Sequence, residues 1–275
     1  MLRRFKDFEG YAVEATEGTI GHVDDFFFDD RAWVVRYLVV NTGNWLSSRK
    51  VLLSPIAIGH LDWAGRVLHV PLTREQVKNS PDIDTAKPVS RQHEVEYLGY
   101  YGYPHYWGGA GHGGGREYPN LMLPDEDGFG PPGVTRSEKQ TAYAWAESER
   151  SREDDPHLRS CRAVLHYRVH AADGDIGHVE GLLFDDETWA IRYLVVKTNW
   201  WLGHRVAVAP QWIQGISWAR SEVLVKMTRQ AIKDAPGYEP GVPLDRMEEE
   251  LLHEHYGFPP YWTDHVVRDL EISRI

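Results

Sequence analysis

The chain has 275 residues, of which 42% are hydrophobic and 12% aromatic, and its formal net charge at pH 7 is −11. These values predict a globular protein of about two domains, and the acidic charge disfavours nucleic acid and anionic membrane surfaces as partners. We find no signal peptide and no apolar run long enough to cross a bilayer, and the single Cys161 can form neither an internal disulfide nor a cysteine-based zinc site. We therefore expect a cytoplasmic protein.

The chain contains two copies of one sequence. Residues 18–46 align without a gap on residues 174–202 at an offset of 156, with 17 identities in 29 positions. After one deletion near Arg205 the offset becomes 155, and it holds as far as Trp107 and Trp262. The repeated unit is therefore about 100 residues long, which is the size of a whole domain.

Each copy begins with two predicted strands joined by a hairpin. Alternating apolar side chains over residues 11–15 predict the first strand, and Gly18 supplies the turn into the second, residues 20–28. Gly21 lies inside the second strand, where glycine is typical of a bulge or a tight bend. The same pattern recurs at residues 167–171, Gly174, residues 176–184 and Gly177.

The next elements of each copy are further short strands. Asp29-Asp30 and Asp185-Asp186 are typical turn residues, and near-continuous apolar runs follow them. Both faces of these strands are expected to be covered. The predicted strands after each acidic turn are residues 33–40, 51–53, 56–61 and 67–70, and residues 189–196, 206–209, 212–216 and 223–227. Five or six short strands with brief turns predict a small closed or partly closed barrel in each copy.

Two helices are predicted at the end of each copy. Thr73 and Thr228 are expected as N-caps of the first helix, with Gln76 and Gln230 near the capping-box position. The second helix is predicted at about residues 90–100 and 245–256. In the second copy Met247, Leu251 and Leu252 recur at helical spacing, a pattern that usually seals a core.

Residues 108–157 differ in composition from both copies. They open with Gly-Gly-Ala-Gly-His-Gly-Gly-Gly and are rich in Gly, Pro and acidic residues, which predicts a tether. We therefore divide the chain into a first domain with its aromatic tail, a linker and a second domain with its aromatic tail. Their predicted bounds are residues 1–107, 108–157 and 158–275.

The most unusual motif is a Pro-aromatic tail after each copy. Proline restrains the backbone and the rings offer a large area at low entropic cost, a combination that suits contact with an apolar surface. Two interpretations stay open, since each tail can pack on its own chain or can bind a partner. The candidate partner-binding residues are Tyr101, Tyr103, Tyr106, Trp107, Tyr256, Phe258, Tyr261 and Trp262.

Other polar repeats are better explained by structure than by chemistry. His22 and His178 follow the bend glycines and are expected to be structural, with hydrogen-bonded rings, rather than metal ligands or pH sensors. The paired aspartates lack a surrounding calcium loop and are expected to form turns. His253 and His255 point to different helix faces and should not chelate a metal together.

A further repeated charge is an arginine within each long apolar strand. Burying an unpaired guanidinium is costly, so we expect Arg36 and Arg192 to meet a carboxylate, plausibly from the acidic turn, or to emerge at an edge. The alternative is a contact to an anion or a partner. No arrangement of nucleophile and base and no phosphate-binding loop is found, so we expect neither a catalytic site nor a cofactor or metal site.

The ordered motifs resemble the PRC-barrel family, named after the cytoplasmic domain of the photosynthetic reaction-centre H subunit. They are the acidic-Gly turn, I-G-H-V, a run ending in F-D-D, and R-Y-L-V-V, and they cover residues 3–80 and 158–235. The resemblance implies a compact β-barrel in each copy. It also implies an adaptor or regulatory module rather than an enzyme.

The sequence therefore predicts a mainly β protein of two small PRC-type β-barrels in tandem, each with a short helical and Pro-aromatic extension. Its expected role is non-enzymatic binding, scaffolding or regulation through a protein partner or self-association, as a pseudo-dimer of barrels or a homo-oligomer, without nucleic acid or membrane insertion. The alternatives are a factor that supports assembly or electron transfer at a photosynthetic reaction centre, a ribosome or RNA-processing factor, and an unrecognised metal-dependent enzyme.

Overall fold

The computed structural model describes residues 1–46, 49–81, 91–103, 158–199 and 204–262. Its contacts divide the chain into two compact units. The first unit comprises Met1, Arg3–Val164 and Phe184–Ile191, and the second comprises Leu2, Leu165–Leu183 and Arg192–Ile275. The predicted domain bounds remain a prediction, because the compact units and the sequence repeats divide the chain at different places.

The first half of the chain consists mainly of strands, with one short helix near its start and two helices after the last strand. The elements are β1 (Leu2–Arg4), α1 (Phe5–Phe8), β2 (Ala12–Ala15), β3 (Gly18–Asp29), β4 (Val34–Asn41), β5 (Lys50–Leu53), β6 (His60–Asp62), β7 (Val67–His69), α2 (Arg74–Lys78) and α3 (Arg91–Tyr101). Two 3₁₀ helices, Gly43–Leu46 and Pro55–Ala57, flank β5. The second of them occupies the start of the predicted strand 56–61, where that prediction is wrong.

The second half repeats this order. Its elements are β8 (Leu158–Ser160), α4 (Cys161–Val164), β9 (Arg168–Ala171), β10 (Gly174–Asp185), β11 (Ile191–Thr198), β12 (Arg205–Val208), β13 (Ile213–Ser217), β14 (Glu222–Val225), α5 (Arg229–Lys233) and α6 (Arg246–Tyr256). A 3₁₀ turn, Pro210–Trp212, precedes β13. Among the helices of the described ranges, none combines the length and the apolar composition that a membrane span requires.

Two seven-stranded sheets have the same strand order. One runs β5-β4-β3-β2-β7-β6 with β8 beside β3, and the other runs β12-β11-β10-β9-β14-β13 with β1 beside β10. The β2–β7 and β9–β14 pairs are parallel. The prediction of a mainly β fold is confirmed.

The closed barrel is not confirmed. Within the described residues each sheet is an open path, and its end strands are not hydrogen-bonded to each other. In the first sheet these end strands are β5 and β6, and the 3₁₀ helix Pro55–Ala57 separates them along the chain.

The bend glycines have the predicted role. The pairing of β2 with β3 shifts register between Val13 and Glu14, opposite Gly21, whose φ is +154°. A Cβ atom on Gly21 would overlap the carbonyl oxygen of Asn41. Gly177, with φ +157°, lies at the corresponding shift between β9 and β10.

The acidic turns also form as predicted. The Asp29 carboxylate accepts hydrogen bonds from the backbone N–H groups of Arg31 at 2.9 Å and Ala32 at 3.1 Å. Asp185 accepts the equivalent two bonds from Glu187 and Thr188. β4, which follows the first turn, is buried on both faces, as its apolar sequence predicts.

The helix caps are largely as predicted. Thr73 and Gln76 form a complete capping box at α2, and the Thr228 hydroxyl accepts from the Ala231 N–H at α5. Gln230 is not part of a box, because its side chain donates to Asp234. The second helix of each copy also forms, as α3 and α6.

The predicted core stripe of α6 is wrong. Leu252 is buried, but Met247 and Leu251 are 66% and 53% exposed. The residues that α6 buries with Leu252 are Glu249 and His253, which lie on the same face at i, i+3 and i+4 spacing. Polar side chains therefore occupy positions where an apolar pattern was expected, and the apolar pair lies on the opposite face.

Candidate partner-binding site

The first aromatic tail is described only in part. Tyr101 is fully buried, and its ring stacks on Tyr103 at a centroid distance of 5.5 Å and lies 4.9 Å from Tyr97. Tyr106 and Trp107 lie outside the described residues. The inner end of this tail packs on its own unit.

The second aromatic tail folds back on the second unit. Trp212 is fully buried, and the rings of Tyr256 and Phe258 pack on it at centroid distances of 4.8 and 5.8 Å. Tyr261 and Trp262 are half-buried and lie edge to face at 4.8 Å. Whether the eight candidate residues bind a partner remains a prediction.

A buried carboxylate anchors this tail. Glu249 on α6 is 3% exposed, and its Oε1 accepts hydrogen bonds from the hydroxyls of Tyr193 on β11 and Tyr261 in the tail, both at 3.0 Å. Its Oε2 lies 3.2 Å from the Arg246 guanidinium. Glu249 thus joins the strand, the helix and the tail through charge-assisted bonds.

His253 forms a second anchor one turn further along α6. Its Nδ1 lies 3.2 Å from the Phe258 carbonyl oxygen, and its Nε2 lies 3.1 Å from the Tyr193 hydroxyl. A carbonyl oxygen can only accept, so Nδ1 carries a proton. The tautomer of neutral His253 is therefore the one whose Nε2 accepts.

The Tyr193 hydroxyl has one proton and two partners. When His253 is neutral, Nε2 is best satisfied if Tyr193 donates to it, which leaves Glu249 with Tyr261 and Arg246. When His253 is charged, Nε2 donates to Tyr193, and Tyr193 donates to Glu249. The protonation of His253 therefore decides whether the Tyr193 hydroxyl donates its proton to His253 or to Glu249.

Burial shifts the titration of these groups. Desolvation raises the pKa of Glu249 above its ordinary value, against the opposing effect of the Tyr261 and Tyr193 hydrogen bonds. Desolvation likewise lowers the pKa of His253 and raises that of Tyr261 to about 12. Each shift favours the neutral form of its group.

Two arginines enclose the tail. The Arg192 guanidinium lies 4.0 Å from the Tyr261 ring centroid, and Arg246 lies 3.9 Å from that of Trp262. Such cation–π contacts contribute on the order of 1 kcal/mol each when partly exposed. The predicted carboxylate contact of the strand arginines holds in the first copy, where Arg36 lies 3.8 Å from Asp29 of the acidic turn.

The first copy retains most of the residues of this network. Arg36, Tyr37 and Glu94 are buried at the positions equivalent to Arg192, Tyr193 and Glu249. His253, in contrast, corresponds to Leu98. Sequence reasoning missed the network, although the glutamate repeated inside both predicted helices was a signal that could have indicated it.

The outer face of α6 exposes an unusual apolar pair. In the described part of the chain six large hydrophobic side chains are exposed, and three of them, Val242, Met247 and Leu251, lie within ten residues of one another. Met247 and Leu251 are one helical turn apart, so they lie on one face. Three exposed glutamates surround this pair: Glu248, Glu250 and Glu254.

The exposed pair is specific to the second copy. The residues equivalent to Met247 and Leu251 are Gln92 and Glu96 in α3. Glu96, which replaces Leu251, is exposed, as expected for a helix that only covers a core. We refer below to Met247, Leu251 and the surrounding glutamates as the α6 patch.

The repeated histidines do not assemble a site. His22 is exposed and His178 is half-buried, 6.1 Å from the His166 ring. No hydrogen bond to either ring is found within the described ranges, so the expectation of hydrogen-bonded structural rings is not met. His253 is buried whereas His255 is exposed and contacts the Ala231 carbonyl oxygen, so the two point apart as predicted. The described residues contain no group of three or more potential metal ligands.

Residues 2–77 match the family model of the PRC-barrel domain, which confirms the resemblance for the first copy. No curated protein matches the chain. A PRC-barrel domain suggests a binding or scaffold module.

Proposed function

We propose that this chain is a non-enzymatic cytoplasmic binding or scaffold protein that consists of two PRC-barrel modules in tandem and acts through protein–protein contact. The match over residues 2–77 supports the first module. The second sheet supports the second module, because it repeats the strand order, the bend glycine and the acidic turn.

The observation that carries this proposal is the α6 patch. An isolated exposed apolar residue needs no explanation, but neighbouring ones on a polar helix face are typical of interaction sites. Arg246, the residue before Met247, is held by both Glu249 and Trp262. The second aromatic tail therefore borders the α6 patch and supports the helix that carries it.

Charge complementarity defines the partner. The exposed glutamates around Met247 and Leu251 repel an acidic protein surface, including a second α6 patch, and attract a basic one. We therefore expect a protein partner that presents apolar side chains flanked by Lys and Arg, for example on a basic amphipathic helix.

The test uses the full chain and a synthetic basic amphipathic helix of leucine and lysine as the probe, with its leucine-glutamate counterpart as a second probe. We expect the basic peptide to bind in fluorescence anisotropy and the acidic one not to bind. The double variant Met247→Gln/Leu251→Gln keeps the charge, and it should weaken binding at least about tenfold, because burying one such side chain contributes about 1.5–3 kcal/mol.

The matched control is Leu224→Gln. Leu224 is 41% exposed in the same unit but lies on β14 rather than on α6. This variant should bind as the unaltered chain does. Equal binding by all three proteins would show that the peptide recognises the general acidity of the chain and would remove the α6 patch as the site.

A further inference from the structure

A short segment at the start of the second copy completes the sheet of the first unit. Residues 158–164, which form β8 and α4, belong to the first unit. β8 pairs antiparallel with β3, so that Ser160 lies opposite Phe27 and Leu158 opposite Asp29. The apolar side chains of the segment are buried within this unit: Leu158, Cys161 and Val164.

Acidic side chains of the first unit recognise this segment. Asp30 accepts a hydrogen bond from the Arg159 side chain at 2.8 Å, and both groups are largely buried. Asp25 accepts from the Ser160 hydroxyl at 2.5 Å and from the Arg162 backbone N–H at 3.0 Å.

The side chain of Arg162 adds two ion pairs. Its guanidinium lies 3.1 Å from Asp24 and 3.1 Å from Glu9. The segment is therefore held both by a strand ladder and by a set of specific side-chain contacts, which is how extended peptides bind to sheet edges.

These contacts favour residues 158–164 over the equivalent segment of the first copy. The equivalent residues of the first copy, 2–8, carry Arg4 where the second copy has Ser160, and Lys6 where it has Arg162. In the second copy, Gly181 replaces Asp25. The Ser160 hydroxyl donates to the buried Asp25 carboxylate and accepts from the Ala163 N–H at 2.9 Å, whereas an arginine side chain has no acceptor for that N–H.

The chain on either side of residues 158–164 favours docking of this segment on a different molecule. It follows Tyr103 by a stretch of 54 residues, and a connection of that length gives an effective local concentration on the order of mM or below. On its other side, His166 has φ +70°, whereas the equivalent residue of the first copy is Gly10, with φ +79°. A non-glycine residue in this region carries strain at the point from which the segment would extend.

We propose that the β3 edge of the first unit also accepts residues 158–164 of a second copy of this chain, so that two chains exchange the segment and form a closed two-fold dimer. Each chain donates one segment and receives one, and all the contacts described above are conserved in the exchanged form. This inference concerns the β3 edge and does not depend on the partner proposed for the α6 patch.

The test exchanges the charges of the Asp30–Arg159 pair in full-length chains. In the single variants Asp30→Arg and Arg159→Asp, like charges oppose each other whether the segment docks within its own chain or in an identical second chain. When the two variants are mixed, both interfaces regain opposite charges only in the heterodimer. The double variant Asp30→Arg/Arg159→Asp restores the pair within one chain and controls for folding.

We expect each single variant to be monomeric in light scattering, and an equimolar mixture at high micromolar concentration to form a 1:1 dimer. In the mixture Cys161 should regain protection from a thiol reagent. The proposal is overturned if the mixture stays monomeric with Cys161 unprotected, or if each single variant forms dimers as readily as the mixture does. Binding of the basic peptide at the α6 patch should be unchanged in all of these proteins.

Discussion

At the scale of single residues, backbone positions that only glycine can occupy are the most constrained. Gly177 has a positive φ, and a Cβ atom on it would overlap the carbonyl oxygen of Lys197, so a side chain there is excluded for two reasons. Gly181, four residues along the same strand, leaves ordinary contact distances to Val195. Comparing substitutions at these two positions therefore distinguishes the specific need for glycine at residue 177 from the loss of stability that any substitution in β10 could cause.

We expect Gly177→Ala to lower the free energy of unfolding by about 2–4 kcal/mol, because the bulge must move or the strand must separate from β11. Gly181→Ala should change it by less than about 1 kcal/mol. Urea unfolding monitored by circular dichroism measures both values. Equal losses in the two variants would show that the bulge geometry is not what Gly177 provides.

His253 makes the stability of the tail depend on pH. Its pKa is lowered in the folded protein, chiefly by burial, from an ordinary value of 6.5. The unfolded chain therefore binds more protons at this residue than the folded chain does, so its contribution to stability is present above pH 6.5 and is lost as pH falls through the lowered pKa. Glu249, with its raised pKa, has the opposite dependence.

The variant His253→Leu isolates this effect, since Leu98 is the equivalent residue of the first copy. We expect the unaltered chain to lose more stability than the variant between about pH 7 and pH 5, by about 1.4 kcal/mol for each unit by which the pKa is lowered. Glu249 is present in both proteins, so its effect cancels to first order. His22→Gln, at an exposed site, should show the pH dependence of the unaltered chain.

At the scale of elements, sequence patterns located most strands and helices but not their partners. Apolar alternation and the acidic turns gave β2, β3 and β4, and the threonine caps gave α2 and α5. The strands β1 and β8 were missed, because three residues are too short for a periodic signal. The buried face of α6 was also misassigned, because Glu249 and His253 are buried through hydrogen bonds that no pattern of hydrophobicity contains.

The docking of β8 and α4 can be measured through Cys161. Its side chain is fully buried in the first unit, and burial raises the pKa of the thiol, which slows its reaction with alkylating reagents. We expect alkylation of the native chain to require that the segment leave β3. Ser160→Ala removes a hydrogen bond to the buried Asp25, so it should speed alkylation about tenfold, the equivalent of about 1.4 kcal/mol.

The control for this experiment is Thr16→Ala, directly after β2 in the first unit. The Thr16 hydroxyl donates to the Leu72 carbonyl oxygen at 3.2 Å, so the variant removes a hydrogen bond of this unit away from the docked segment. Its alkylation rate should match that of the unaltered chain. If Ser160→Ala also left the rate unchanged, then Cys161 would react through a smaller local motion and the hydrogen bond to Asp25 would not control docking.

At the scale of the whole molecule, the repeat could be read from the sequence, whereas the division into compact units could not. Identity between residues 18–46 and 174–202 indicates two similar sheets, and two sheets of the same strand order are present. The docking of residues 158–164 on the first unit depends on contacts between residues more than 100 positions apart, such as Asp30 and Arg159. No local pattern around Asp30 or around Arg159 predicts that these two residues meet.

The same scale explains how two similar copies can differ in role. The first copy has the exposed Glu96 in α3 at the position of Leu251 and carries the acidic site that receives residues 158–164. The second copy has the apolar pair of the α6 patch and a histidine in its buried network. Under the two proposals above, such local substitutions after duplication give one copy a surface for self-contact and the other a surface for another protein.

The position of β8 in the chain has a consequence during synthesis. Residues 158–164 begin 55 positions after Tyr103, and ribosomes add about 5–20 residues per second, so the β3 edge stays open for several seconds after α3 has been synthesised. An open strand edge invites pairing with other nascent chains. On a polysome, where identical chains emerge side by side, the first completed segment to reach that edge can belong to a neighbouring ribosome.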